Sequence, residues 1–146
     1  MFVKIAKKNL SGDVYEGYTP DWKNFLKCSR WCNDSLPANT LVASRKAPMS
    51  FIYAKGKKFF PIYKVIKKDS LTQQSNADSA LAFFKSNNVT HLMLASLRTN
   101  PNENNGQVIN TLHNIAQPIM EKYPNALKLV HTEGLSEQTY LFKINY

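Results

Sequence analysis

The chain is predicted to be an α/β protein: three layers, a mostly parallel central sheet with helices on both faces, and a C-terminal antiparallel hairpin. Three observations predict it. Val89 to Leu97 is a nine-residue run that is apolar on both faces, as a strand covered from above and below must be. Helical and strand patterns alternate along the sequence. The last two strand patterns are separated only by a short stretch containing Gly134. At 146 residues, with 43% hydrophobic and 20% charged side chains, the chain has the composition of one globular domain. No stretch approaches the roughly 20 apolar residues of a membrane span.

Residues 1–18 hold no sustained period and contain Ser11-Gly12-Asp13 and Gly17, so they are assigned as an N-terminal arm, and 19–146 as the single domain. Thr19-Pro20-Asp21 opens a helix, with Thr19 at the cap, Pro20 at the first position and Asp21 against the dipole. Trp22, Phe25, Leu26, Trp31 and Cys32 form its apolar face, and Pro37 ends it near Ser35. Thr40 to Ser44 is a short buried strand. Pro48 opens a second helix through Met49, Phe51, Ile52 and Tyr53, closed by Gly56. Lys58 to Tyr63 forms an edge or irregular strand, because Pro61 has no N–H for a ladder. Residues 64–77 are a polar, basic loop. Asp78 caps the next helix, which carries Ala80, Leu81, Phe83 and Phe84.

After the central strand and an Asn-rich loop at 99–105, Val108, Ile109, Leu112, Ile115, Ala116, Ile119 and Met120 follow helical spacing, with Pro118 predicted to kink the helix. Leu127 to His131 and Thr139 to Asn145 supply the closing hairpin.

Charge is the first functional signal. Nineteen basic residues against ten acidic ones give +9, and residues 1–73 hold 14 basic and 5 acidic side chains while residues 74–146 hold 5 of each. Lys4, Lys7 and Lys8, then Lys55, Lys57 and Lys58, then Lys64, Lys67 and Lys68 form three clusters that suit a negatively charged partner. Lysine clusters also serve solubility alone. Catalytic templates fail: the five glycines are isolated, so there is no dinucleotide fingerprint and no phosphate-cradling loop. No nucleophile elbow or zinc-binding helix motif is present, and Cys28 and Cys32, four apart on one helix, are assigned as core thiols. No catalytic residue, metal or cofactor is assigned. His113 and His131 are assigned structural or exposed positions. Tyr53, Phe59, Phe60 and Tyr63 interleave with lysines, which suits nucleic-acid stacking but suits a core strand better.

One constellation has a ligand rationale. Ser44-Arg45-Lys46 lies at the carboxyl end of a strand and just before a helix, where open α/β sheets gather anions, and Arg98 stands at the end of the central strand. Ser44, Arg45, Lys46 and Arg98 are therefore the anion candidates. The alternative is that Arg45 binds a core-edge carboxylate or a helix C-terminus.

Gly17-Tyr18-Thr19-Pro20-Asp21-Trp22, the helix ending Asp34-Ser35-Leu36-Pro37, and Leu41-Val42-Ala43-Ser44-Arg45-Lys46-Ala47-Pro48 with Phe51-Ile52-Tyr53 resemble the soluble C-terminal region of bacterial polytopic glycosyltransferases of the C-type, lipid-phosphate-sugar-dependent class. The likeness continues in Thr90 to Arg98 and in Tyr140 to Asn145, covering most of the chain. It departs where Ala47 separates Lys46 from Pro48. In that class the catalytic carboxylate sits in a loop between membrane helices, so the resemblance implies a non-catalytic extracytoplasmic domain. Its partners would be the transmembrane part of the same protein and an anionic lipid, lipid-linked sugar or acceptor. Lys4, Lys7, Lys8, Lys55, Lys57 and Lys58 would face the membrane. A small free-standing α/β enzyme or anion-binding domain is one alternative; a nucleic-acid-binding module, supported by charge alone, is another.

Overall fold

The computed structural model describes residues 14–62, 75–103 and 107–146. Among the described residues eleven elements follow in order: α1 (Pro20–Ser35), β1 (Val42–Ser44), α2 (Ala47–Tyr53), β2 (Phe59–Pro61), α3 (Ala77–Ser86), β3 (His91–Leu94), β4 (Ser96–Arg98), β5 (Val108–Asn110), α4 (His113–Lys122), β6 (Leu127–Glu133) and β7 (Thr139–Ile144). Residues 1–13 of the arm, with Lys4, Lys7 and Lys8, and the cluster Lys64, Lys67 and Lys68 lie outside the described residues.

Five strands make one sheet in the order β2-β1-β3-β7-β6. The pairs β2–β1 and β1–β3 are parallel; β3–β7 and β7–β6 are antiparallel. The protein is α/β and its sheet is mixed: β2, β1 and β3 run parallel, and the C-terminal hairpin continues the sheet antiparallel at the β3 margin, so that two of the four strand pairs are antiparallel. Pro61 lies on the edge strand β2, where its missing N–H costs no ladder bond.

Side-chain alternation splits the strands between two cores. Ala43, Leu92, Leu94, Leu127 and Ile144 pack with Ala80 and Phe84 of α3 and Ile115, Ala116 and Ile119 of α4. Val42, Met93 and Leu141 pack with Trp22, Phe25, Leu26, Cys28 and Cys32 of α1 and Ala47 of α2. Phe25 and Phe84 are wholly buried, one in each core, and truncating either to alanine costs about 3–5 kcal/mol.

Four expectations change. The run Val89 to Leu97 breaks at Ala95, which exchanges hydrogen bonds with Thr111, so β4 leaves the main sheet and pairs with β5 in a separate two-stranded ribbon. Val108 and Ile109 therefore belong to β5, and the helix begins only at His113. Asn76, not Asp78, caps α3: its side-chain oxygen accepts the Ser79 N–H at 3.0 Å. Pro118 lies inside a continuous α4, and the Asn114 carbonyl that its missing N–H leaves free instead accepts the Ser75 N–H at 3.2 Å, tying the approach to α3 onto α4.

Candidate functional site

The chain passes from β1 to β2 on one side of β1 and then crosses to β3 on the other, so the connections reverse between β1 and β3. Ligands of open α/β sheets sit outside the carboxyl ends of strands at such a reversal, and Ser44 ends β1 there. Its hydroxyl turns inward. Ser44 Oγ is 3.1 Å from Ser50 Oγ, Ser29 Oγ donates to Ser50 Oγ at 2.9 Å, and the Lys46 N–H reaches Ser44 Oγ at 3.3 Å. All three serines are fully buried, so the chain of hydroxyls binds α2 to α1 and β1. Arg45 and Lys46 are half-buried beside it, and α2, at seven residues, is too short to add an appreciable dipole.

Arg98 is engaged elsewhere. Its Nη1 donates to Asp21 Oδ1 at 2.6 Å, its backbone N–H donates to Asp21 Oδ2 at 2.7 Å, and Nη2 meets Glu137 Oε1 at 2.8 Å. The Trp22 indole N–H also donates to the Arg98 carbonyl at 2.8 Å. Burial works against the charge on Asp21, but donors from Thr19, the Arg98 backbone and guanidinium, and the Trp22 backbone outweigh it and hold the carboxyl below its ordinary value. Arg98 thus joins α1, β4 and the β6–β7 loop.

The α2–β2 connection places its three lysines around one cleft. Lys55, Lys57 and Lys58 line an open, polar cleft of about 560 Å³ with Asn33, Asn39 and Thr40, and Lys57 Nζ donates to Thr40 Oγ1 at 3.1 Å. Lys55 and Gly56 both take positive φ (53° and 82°), which turns the chain sharply between α2 and β2. Lys58 also borders a second, almost wholly apolar groove of about 410 Å³ formed by Ala47, Pro48, Phe51, Ile52, Phe59 and Pro61. Phe51 is 45% exposed and Ile52 67%. The apolar composition of α2 predicts a buried helix, but α2 buries only Ala47 and Ser50 and turns Phe51 and Ile52 outward beside the lysines.

The other candidates are structural. His131 stacks flat on Trp31, with ring centroids 4.0 Å apart. His113 opens α4 with Nδ1 buried, and burial lowers its pKa. Cys28 and Cys32 are free and buried, and the hydrogen bond from Cys32 together with burial pushes the Cys28 thiol up. Tyr53 meets Tyr18 hydroxyl to hydroxyl at 2.8 Å, Phe59 is buried, and Phe60 packs on Phe83, so these rings face inward rather than offering a base-stacking platform; Tyr63 lies outside the described residues. Among the described residues no group of three or more His, Cys, Asp or Glu could hold a metal ion, and no helix is long and apolar enough to cross a membrane. No family model, curated protein or solved structure matches the chain.

Proposed function

We propose that this chain is a non-catalytic extracytoplasmic domain of a larger, membrane-bound glycosyltransferase-like protein, and that the α2–β2 face is turned toward the phosphate-rich membrane surface. The glycosyltransferase part rests on the sequence likeness of Gly17 to Tyr53. The observation that carries the membrane part is the juxtaposition of exposed Phe51 and Ile52 with Lys55, Lys57 and Lys58. Apolar side chains enter the boundary between headgroups and acyl chains, while ammonium groups around them pair with lipid phosphates; neither half binds firmly alone. Such a face is held by a rigid mount, because the buried Ser29–Ser50–Ser44 hydroxyls fix α2 from beneath.

The test is flotation of the chain with vesicles of phosphatidylcholine, with and without phosphatidylglycerol. At about 1 kcal/mol per lysine near an anionic surface, replacing Lys55, Lys57 and Lys58 with glutamate lowers partitioning at least about 100-fold. Ile52→Ser lowers it further without unfolding the domain. Equal binding to both vesicle types, or binding indifferent to these substitutions, overturns the assignment of the face. The glycosyltransferase part is tested separately by the reading frame upstream of Met1, expected to encode several spans of about 20 apolar residues.

A further inference from the structure

A different surface carries a second binding chemistry. Between the start of α3, the end of α4 and the outer end of the β6–β7 hairpin lies an open cleft of about 580 Å³, lined by Asp78, Lys122, Tyr123, Asn125, Asn145 and Tyr146 over an apolar floor that includes Leu81 and Ala126. Its volume falls within the range of small-molecule sites.

The two tyrosines are held in an unusual way. An exposed tyrosine ordinarily leaves its hydroxyl in water. Here Tyr146 donates its hydroxyl to the Val89 carbonyl at 2.6 Å and Tyr123 donates its own to Asp78, yet the residues remain 54% and 40% exposed. The polar ends are tied down and the rings are left accessible, so each ring is pre-positioned and loses little freedom when something stacks on it.

The two charged side chains at this cleft are paired with each other. Lys122 Nζ donates to Asp78 and also packs over the Tyr123 ring, 5.5 Å from its centroid. Lys122 and Asp78 neutralise one another, so this pair offers no unengaged charge to a phosphate or an ammonium group. The two asparagines supply neutral polarity: Asn145 Nδ2 donates to the Asn125 carbonyl at 3.2 Å, so its Oδ1 is left to accept from a ligand. The Asn125 side chain offers an acceptor and two donors. Accessible aromatic rings, amide donors and acceptors, and an ion pair that neutralises itself match a ligand with apolar C–H faces and a rim of hydroxyls.

We propose that this cleft binds a neutral saccharide, a pyranose ring stacking on Tyr146 or Tyr123 with its hydroxyls taken by Asn125 and Asn145. The site is remote in chemistry from the lysine-bordered α2–β2 face and does not depend on the membrane reading.

The experiment is saturation-transfer NMR of the chain with the methyl glycosides of glucose, galactose, mannose and N-acetylglucosamine, followed by titration of the best binder while watching the Asn125 and Asn145 side-chain amides. At least one glycoside is expected to receive saturation and to shift both amides. Tyr146→Ala is expected to weaken binding about two- to tenfold, the range of an aromatic contact. Because that substitution also removes the anchor to Val89, Asn125→Ala, at an exposed position, serves as the second variant and is expected to weaken binding while leaving the unfolding midpoint unchanged. The lysine-to-glutamate triple variant at 55, 57 and 58 is expected to bind the glycoside as the parent does. No transfer to any of the four glycosides, or equal affinity in parent, Tyr146→Ala and Asn125→Ala, overturns the proposal, whatever the vesicle experiment gives.

Discussion

Replacing Asp21 with asparagine probes the contact that joins the first helix to the β4–β5 ribbon. Asp21 is 2% exposed, and each of its oxygens accepts one donor from Arg98, at 2.6 and 2.7 Å. Asparagine has nearly the same shape but only one acceptor oxygen, so its NH₂ must confront either the guanidinium or the Arg98 N–H. One charge-assisted hydrogen bond is lost, worth about 1.5–3 kcal/mol. Glu137 still meets Nη2 at 2.8 Å, so the guanidinium is not stranded and the full cost of a broken buried pair is not reached. The expected loss is about 2 kcal/mol. With a denaturant slope of about 2 kcal/mol per molar urea, the unfolding midpoint at pH 7 falls by about 1 M. The pH dependence carries the signature of the charge. The Asp21 pKa is held below 3.8, so the unfolded chain takes up its proton first on acidification. The stabilisation is therefore complete above the ordinary carboxylate range and is lost as pH falls through the folded value. The gap between parent and variant should stay constant above about pH 5 and close in stronger acid. An unchanged midpoint at pH 7, or a gap that persists undiminished through the acid range, would refute the reasoning.

Two further outcomes follow from particular contacts. Burial first, then the Lys143 and Lys57 ammonium groups, lower the His91 pKa to about 4, so between pH 6.5 and about 4 the unfolded chain binds a proton that the folded imidazole refuses. Stability should decline across that window by up to about 3 kcal/mol, and the midpoint of His91→Gln should lack this part of the decline. Gly134 has φ +97°, and a Cβ there would collide with the Asn24 side chain, which is itself held by the Ser136 and Glu137 carbonyls at 2.9 and 3.1 Å. Gly134→Ala should cost about 1–3 kcal/mol in urea unfolding, and less when Asn24→Ala is already present.

The parts of the fold that local chemistry dictates were legible residue by residue. Thr19-Pro20 and Leu36-Pro37 bracket α1 at Pro20–Ser35, and Pro61 marks the edge of the sheet. Thr19 does so by position alone, since its side-chain oxygen accepts no backbone N–H of the first turn. What local chemistry does not carry is the choice among distant partners. The division of Val89 to Leu97 at Ala95 is made by Thr111, sixteen residues on, and Val108-Ile109-Asn110 becomes a strand because β4 is there to pair with it. Helical spacing and a three-residue strand are indistinguishable in so short a run. The same limit governs the sites. Lys55, Lys57 and Lys58 were visible as a cluster, whereas Asp21 as the partner of Arg98, 77 residues away, left no trace in either local pattern. The exposure of Phe51 and Ile52 was hidden because nearly every side chain in α2 is apolar, so that no buried face stands out. The Tyr123 and Tyr146 cleft draws on three separate elements, and only their meeting creates it.

The stitching at the start of α1 has a mechanical meaning. The Thr19 N–H donates to the Pro101 carbonyl at 2.9 Å, Trp22 to the Arg98 carbonyl, and Asp21 clasps Arg98. A pull transmitted along the polypeptide toward residue 19 would thus be shared at once with the ribbon, not delivered to the helix tip alone. The first turn of α1 works as a strain relief, so that tension on the preceding residues reaches the hydrophobic interior only after these contacts have given way.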